Sequence, residues 1–149
     1  MNKSLIDGVE IQNALLCEDL RPEQNGKWTI LGAFSGDIVV PSLPTNIKLT
    51  AYIEIFLNKK YRGNIHFRML LDGAECMKIS GKMEGNLGYS AIPLPQFIVG
   101  IPKPGSLVAE ISTDGQNWLE IIKRRLSIGK FDKGILISSN EPQQPSAQS

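Results

Sequence analysis

The sequence predicts an all-β protein, an antiparallel two-sheet β-sandwich of the immunoglobulin-like or C2-like kind. Three observations predict this class. Apolar and polar residues alternate over long runs, and two Asp-Gly pairs stand between such runs, where tight hairpin turns prefer them. No stretch of about 10–15 residues has the 3.6-residue apolar period of an amphipathic helix. Strands separated by turn residues favour a sandwich or a barrel, and about eight strands of this length favour two sheets over one core.

The most regular alternation runs from Ile47 to Leu57, where every odd position is apolar. A period of two over this length indicates a half-buried strand. A similar run, Ile65–Leu71, precedes Asp72-Gly73, the pair that a type I′ turn prefers. The sequence therefore predicts a hairpin that returns from Ala74 to Lys82.

A second hairpin is predicted around Asp114-Gly115, between a strand at Leu107–Ser112 and a strand that starts at Trp118. After Trp118 the apolar residues first occupy odd positions and then even ones. One extra residue must enter the ladder for both sets to face the core. We therefore expect a β-bulge within Ile122–Arg125.

Two earlier strands are predicted at Ile11–Cys17 and Lys27–Phe34. The second strand places Gly32 among apolar residues on one face, which indicates a bulge or a close backbone approach. Further on, Pro93 and Pro95 confine their segment to a sheet edge or an irregular crossover.

Length and composition predict one domain, over residues 11–137, with an N-terminal extension at 1–10 and a disordered polar tail at 138–149. The net charge of +1 gives no sequence-wide reason to expect nucleic acid or an anionic membrane as partner. The chain has no apolar stretch of the kind that marks a secretory signal or a membrane span. We expect a cytoplasmic protein.

Cys17, Trp28 and Cys76 imitate the cysteine and tryptophan spacing of an immunoglobulin domain, but Ala74 stands where such a domain carries tyrosine. The expected reducing compartment also disfavours a disulfide. We predict two free, buried thiols.

Residues for catalysis, cofactors and metals are not evident, and we predict none. His66 is the single histidine, and its parity places it with Arg68 on the solvent face of its strand. Six to eight oxygen ligands are typical of calcium, whereas Asp37, Asp72 and Asp114 are dispersed along the chain. The basic run Lys123–Arg125 is typical of a charged strand edge, and nucleic acid remains a minor hypothesis.

One segment carries more charge than a turn requires. Its charged residues, the candidate binding surface, are Glu18, Asp19, Arg21, Glu23 and Lys27. An Asn-Gly pair within it suits a tight turn. Two interpretations are open: a loop bridged internally by Arg21 to Glu18, Asp19 or Glu23, or a recognition surface.

The same region resembles the opening of a bacterial family of domains of unknown function. The resemblance rests on Cys17-Glu18-Asp19-Leu20-Arg21-Pro22-Glu23, then Gly26-Lys27-Trp28-Thr29, then Gly32-Ala33-Phe34. Leu43-Pro44 and the strand after it fit the same layout, with Leu43 at an expected phenylalanine. The resemblance covers residues 11 to about 128 and implies a single small β-sandwich. It implies no activity.

Function is predicted as a non-enzymatic module that binds a protein partner or serves as an accessory subunit. Candidate contact surfaces are the charged segment at 18–27 and the exposed strand face bearing Thr50, Tyr52, Glu54 and Phe56. The alternatives are a sandwich that binds a small ligand such as a carbohydrate on Tyr52, Phe56 or Tyr89, and a sandwich that binds calcium. An enzyme is the least favoured class.

Overall fold

The computed structural model describes the backbone of residues 3–5 and all of residues 8–129. In chain order these form β1 (Lys3–Leu5), β2 (Val9–Pro22), the short 3-10 turn η1 (Gln24–Gly26), β3 (Trp28–Ala33), β4 (Ile38–Val40), β5 (Thr45–Leu57), β6 (Tyr61–Leu71), β7 (Ala74–Gly85), β8 (Gly88–Pro93), β9 (Phe97–Ile101), β10 (Gly105–Ser112) and β11 (Leu119–Ile128). No α-helix occurs in these residues, and the predicted all-β class is confirmed.

The strands form two curled sheets that pack against each other, as predicted. The first sheet has the order β1-β2-β5-β8, with β3 also paired to β2 and β9 to β5. The second has the order β4-β11-β10-β6-β7. One pair departs from the predicted antiparallel arrangement, because β4 runs parallel to β11. Parallel neighbours need a long connection, and here most of the chain lies between them.

The core lies between the sheets and is built from their inward-facing apolar side chains. The largest fully buried ones are Leu16, Ile38, Leu49, Ile53, Ile55, Leu57, Phe67, Met69, Ile101, Leu107, Ile111 and Leu126. Each stabilises the fold by about 1.5–3 kcal/mol relative to an exposed side chain. The odd positions of β5 from Leu49 to Leu57 are all buried, which confirms the predicted strand.

A bulge at Gln12 lets both halves of β2 contribute to this core. The pairing with β5 shifts between Ile11 and Asn13, so Gln12 is the extra residue. Val9 and Ile11 point inward before the bulge, and Leu16 points inward after it. The bulge thus changes which parity of β2 faces the core.

The proline-rich segment between β8 and β9 lies at the edge of β5. Pro93 pairs with Tyr52 and Phe97 pairs with Leu49, so the two strands follow each other along β5. Between them the backbone N–H of Leu94 donates to the carbonyl of Ala51 at 3.2 Å. The hydroxyl of Thr50 donates to the carbonyl of Leu94 at 2.6 Å. Thr50, which contacts this segment, is fully buried. The prediction that Thr50 lies on an exposed face is wrong.

Both predicted hairpins are present. Asp72 and Gly73 have positive φ angles of 48° and 82°, as a two-residue type I′ turn requires. The β10–β11 hairpin has a longer loop, because β10 ends at Ser112 and β11 begins at Leu119. The predicted bulge in β11 is also present, but the register shifts opposite Ala109 and Glu110, which makes Ile121 the extra residue rather than one of residues 122–125.

Sheet pairing begins earlier than the predicted domain boundary at residue 11. β2 starts at Val9, and Lys3–Leu5 pair with residues 9–11 as β1. Part of the predicted N-terminal extension is thus an edge of the first sheet. The predicted polar tail at 138–149, and the domain's predicted end at 137, lie outside the described residues.

Candidate functional site

The charged segment at 18–27 is a β-hairpin and not the predicted loop. Residues 17–22 of β2 pair with β3, from Cys17 opposite Ala33 to Pro22 opposite Trp28. Asn25 and Gly26 turn the chain between them, with positive φ angles of 65° and 71°. Because these two residues adopt the left-handed conformation, the charged residues before them remain in a paired strand. We call residues 18–31 the β2–β3 arm.

The arm separates from the body of the sheet. Pairing between β2 and β5 ends where Cys17 faces Thr50, whereas pairing between β2 and β3 continues to Pro22. Within the described chain, β3 pairs with no strand other than β2. A cleft of about 410 Å³ opens at this point, lined on one side by Glu18 and Phe34 and on the other by Asn46–Lys48 of β5.

One side of the arm is charged. Asp19 and Arg21 share this side with Thr29 and Leu31, which lie opposite them on β3. Nε of Arg21 lies 3.3 Å from Oδ2 of Asp19, and the side chain of Arg21 is 68% exposed. The internal bridge expected for Arg21 is therefore present, with Asp19 as its partner. An exposed pair of this kind contributes only about 0–1 kcal/mol.

The remaining residues of the candidate surface make local hydrogen bonds, Glu23 through its carboxylate and Lys27 and Glu18 through their backbone carbonyls. The hydroxyl of Thr29 donates to the carboxylate of Glu23. The backbone N–H of Glu23 donates to the carbonyl of Lys27 at 2.9 Å and closes the turn. The carbonyl of Glu18 accepts a hydrogen bond of 2.7 Å from the side chain of Gln96.

Gly32, at the base of the arm, leaves room for the side chain of Glu18 on the neighbouring strand. Its φ angle is +63°, and a Cβ atom at this position would lie 2.8 Å from Cγ of Glu18. Both facts exclude a larger side chain without strain. The β2–β3 register is continuous past Gly32, so the predicted bulge is absent. The close neighbour is the Glu18 side chain and not a backbone segment, so the predicted backbone approach is also wrong.

The other side of the arm is apolar. It carries Leu20, Trp28 and Ile30, and Leu20 faces Ile30 directly across the two strands. These three side chains are half-buried, but they are not among the half-buried apolar side chains that pack against the core. Phe34, just beyond β3, does pack against the core. The arm thus has an apolar surface distinct from the hydrophobic core.

A second cluster, on the outer face of the second sheet, was not found by sequence reasoning. The guanidinium carbon of Arg68 lies 4.1 Å from the centroid of the Trp118 ring, and Nζ of Lys78 lies 5.6 Å from it. Nη2 of Arg68 also lies 3.2 Å from a carboxylate oxygen of Glu110. We call Arg68, Lys78, Glu110 and Trp118 the Trp118 cluster.

Asp114 positions Trp118 by organising the loop before it. The backbone N–H groups of Gln116 and Asn117 each donate to Oδ1 of Asp114 at 2.8 Å, and the Asn117 side chain donates to Oδ2 at 2.7 Å. These hydrogen bonds, the backbone ones first, hold the pKa of Asp114 well below its ordinary value. Asp114 is therefore a structural carboxylate of the turn, as the sequence predicted.

His66 meets Ser80 across the β6–β7 pair, with 2.7 Å between Nδ1 and Oγ. The rings of His66 and Trp118 meet in a T-shaped arrangement, with centroids 6.4 Å apart. The sequence predicted a solvent-facing His66. The residue is half-buried, because Trp118 packs beside it. A serine and a histidine at this distance form the first half of a nucleophile–base arrangement.

The other two aspartates that the sequence analysis considered as calcium ligands also have local partners. Oδ1 of Asp72 accepts a 2.9 Å hydrogen bond from the backbone N–H of Ser106. Oδ2 of Asp37 accepts two hydrogen bonds from Arg125, at 2.6 and 2.9 Å. In residues 8–129 no three His, Cys, Asp or Glu side chains are grouped so that they could hold a metal ion.

Both cysteines are free, as predicted, but only one is buried. Burial raises the pKa of Cys17 to about 11. Cys76 is exposed on β7, where the β6–β7 register shifts, and its prediction as a buried thiol is wrong.

No helix in the described part of the chain is long and apolar enough to cross a membrane.

These features define a small all-β sandwich with an extra two-stranded arm. Residues 12–122 match the model of a family of unknown function, DUF6941, and the chain belongs to that family. The match includes the arm, the Trp118 cluster and the segment that carries the predicted resemblance. A comparison with curated proteins gives no match.

Proposed function

We propose that this protein is a non-enzymatic binding module whose β2–β3 arm contacts a partner protein. One observation supports this most strongly: the apolar side of the arm, Leu20, Trp28 and Ile30, does not pack against the core. Interfaces are commonly dominated by a few aromatic and aliphatic anchors, and tryptophan is the most enriched of them. Trp28 is the anchor in this proposal.

The charged side of the arm supports the same function in a different role. Arg21 is largely exposed and pairs with Asp19 through one contact. Charges at the rim of an interface act mainly on the rate of association and on partner choice. We therefore assign affinity to the apolar side and selectivity to Asp19 and Arg21.

Site-specific photo-crosslinking tests the proposal in cells of the native organism. A photoreactive amino acid replaces Trp28 in the full chain, and a matched chain carries it at Glu84, an exposed position on β7 in the other sheet. The expected result is a discrete protein adduct from position 28 and none from position 84. The same adducts from both positions, or none from position 28, would contradict the proposal.

Two substitutions at neighbouring positions distinguish the contributions of the two sides of the arm to partner binding. Ile30→Ser removes an apolar contact, whereas Leu31→Ser changes the adjacent residue on the charged side. After the partner is identified, we expect Ile30→Ser to weaken its binding about tenfold or more and Leu31→Ser to weaken it less than about threefold. Equal effects from the two variants would remove the assignment of affinity to the apolar side.

We also propose a cytoplasmic location in a bacterium. The exposed free thiol of Cys76 supports this location, because exposed thiols persist more readily in a reducing compartment. Fractionation of native cells with an antibody against this chain is the test. Recovery in an extracellular or periplasmic fraction would contradict it.

A further inference from the structure

The outer face of the first sheet combines aromatic rings with carboxylates. Register places Glu10, Phe56 and Tyr89 side by side on β2, β5 and β8. Two residues back along β5 comes Glu54, and then Tyr52. These five residues, which point away from the core, form what we call the aromatic–acidic face.

Tyr89 is the most exposed large side chain of this face. Its side chain is 81% accessible, and its ring centroid lies 4.9 Å from that of Phe56. The contact with Phe56 supports one part of the tyrosine ring and leaves the rest open to solvent. Next to it on the same side of β8 stands Ala91, opposite Glu54, so a small side chain separates the open ring from the carboxylate.

The two carboxylates of the face have no cationic partner among residues 8–129. Within residues 8–129, no Lys, Arg or His nitrogen lies within 4.0 Å of the carboxylate of Glu10 or Glu54. Glu10 accepts a single hydrogen bond of 3.4 Å, from the side chain of Gln12. Burial raises the pKa of the Tyr52 hydroxyl, and the negative charge of Glu54 raises it further. Among the described residues 8–129, the negative charge of the face is therefore not paired with a cation, and it lies beside open aromatic surface.

We propose that the aromatic–acidic face binds an arginine side chain of a basic polypeptide segment. The guanidinium stacks on the open ring of Tyr89 and donates hydrogen bonds to Glu54. Rows two residues apart on a strand are separated by about 7 Å, which one arginine side chain spans. Planar guanidinium groups favour both aromatic stacking and paired contacts with carboxylates, so arginine fits this face better than lysine.

Charge is the reason to prefer this occupant over a neutral carbohydrate. An aromatic platform alone serves either ligand, but two carboxylates without cations favour a positively charged partner. The proposal is independent of the β2–β3 arm, because none of its five residues belongs to residues 18–31. Loss of binding at the arm would leave arginine binding intact, so failure of one proposal is distinguishable from failure of the other.

Nuclear magnetic resonance titration of the full chain at low salt tests the proposal. The probe is the peptide acetyl-Gly-Arg-Gly-Arg-Gly-amide, with acetyl-Gly-Glu-Gly-Glu-Gly-amide and cellotetraose as comparison ligands. We expect the arginine peptide to shift the amide signals of residues 52–56 and 89–91, with little shift from either comparison ligand. Added salt should weaken the interaction, because exposed charges are screened.

Matched variants identify the groups responsible. We expect Glu54→Gln and Tyr89→Ala each to weaken peptide binding about threefold to tenfold. Glu84→Gln, the same change of charge on the other sheet, and Leu87→Ala, at another exposed apolar residue, should leave it unchanged. Amide spectra of each variant without ligand confirm that it is folded.

Several outcomes would overturn the proposal. One is the absence of signal shifts with the arginine peptide, and another is equal binding of the acidic peptide. Binding of cellotetraose in place of the arginine peptide would assign the face to carbohydrate. Unchanged affinity in a folded Glu54→Gln variant would remove the carboxylate from the site.

Discussion

The guanidinium carbon of Arg68 lies 4.1 Å from the centroid of the Trp118 ring, which joins the centre of the second sheet to the loop between β10 and β11. Arg68 lies on β6, and its side chain is 25% exposed. Glu110 on β10 meets the same guanidinium from the neighbouring strand. The tryptophan therefore covers an ion pair that would otherwise be more open to water.

Removal of this ring should destabilise the fold. We expect Trp118→Ala to lower the free energy of unfolding by about 1–2 kcal/mol, from lost aromatic packing and the lost cation–π contact. Urea unfolding followed by circular dichroism measures the change. Leu87→Ala serves as the control, because Leu87 is 69% exposed and should change stability by less than about 0.5 kcal/mol. A Trp118→Ala loss as small as the control's would contradict the role given to the ring.

The contribution of Asp114 should depend on pH in a defined direction. Its folded-state pKa is lowered, so its contribution is complete above the ordinary value of 3.8 and is lost as pH falls from there toward the lowered pKa. We expect Asp114→Ala to be less stable than the native chain at neutral pH. The difference should narrow in urea unfolding at about pH 2.5. A difference that stays constant with pH would show that the Asp114 charge contributes nothing.

Gly32 should not tolerate a side chain. We expect Gly32→Ala to cost about 1–3 kcal/mol, because alanine would combine a positive φ angle with a contact of 2.8 Å to Glu18. Gly36→Ala is the matched control, since a Cβ atom there meets nothing within 4 Å. Adding Glu18→Ala to Gly32→Ala should recover only the steric part of the loss. Thermal unfolding of the four chains gives the comparison, and equal stability of the two single glycine variants would contradict it.

The two thiols should react at very different rates. Burial raises the pKa of both thiols, that of Cys17 to about 11. The expected difference in rate rests on access, because Cys76 is an exposed residue and Cys17 is buried. We expect a disulfide reagent at pH 8 to modify one thiol in the native protein and both thiols after denaturation. Mass spectrometry of proteolytic fragments locates the modified residue. Modification of Cys17 before Cys76 would contradict the assigned positions.

The proximity of Ser80 and His66 makes the non-enzymatic proposal directly testable. We expect hydrolysis of p-nitrophenyl acetate by the native protein to equal that by Ser80→Ala, because a hydrogen bond between the two groups does not by itself supply an oxyanion site. Release of nitrophenol followed by absorbance measures the rate. A rate that falls tenfold or more in the serine variant would identify a catalytic pair.

Patterns confined to neighbouring residues predicted much of the fold. The alternation from Ile47 to Leu57 predicted β5, and Asp72-Gly73 predicted the type I′ hairpin. A change of parity predicted the bulge in β11, one residue away from its place at Ile121. Strand periodicity and turn conformation depend on local sterics, so one strand or one turn carries the whole signal.

To predict contacts between strands, one must know the register of the strand pairs, which local sequence patterns do not specify. Counted outward from the Asp72-Gly73 turn, where Leu71 faces Ala74, an unbroken ladder would place Ile79 opposite His66. A register shift between Met69 and Leu70 places Ser80 there instead. The turn residues carry no information about this shift, and so neither the His66–Ser80 contact nor the Trp118 cluster could be predicted.

In the charged segment at 18–27, too, some features follow from neighbouring residues and others from tertiary contacts. Its residues, as a sequence, determined that Asn25-Gly26 turn the chain and that charge is concentrated around the turn. Only the tertiary structure decided that the pairing of β2 with β5 ends at Cys17. It also decided that Leu20, Trp28 and Ile30 do not pack against the core. The physical reason is that backbone conformation is set by adjacent residues, whereas burial depends on which distant strands reach a side chain.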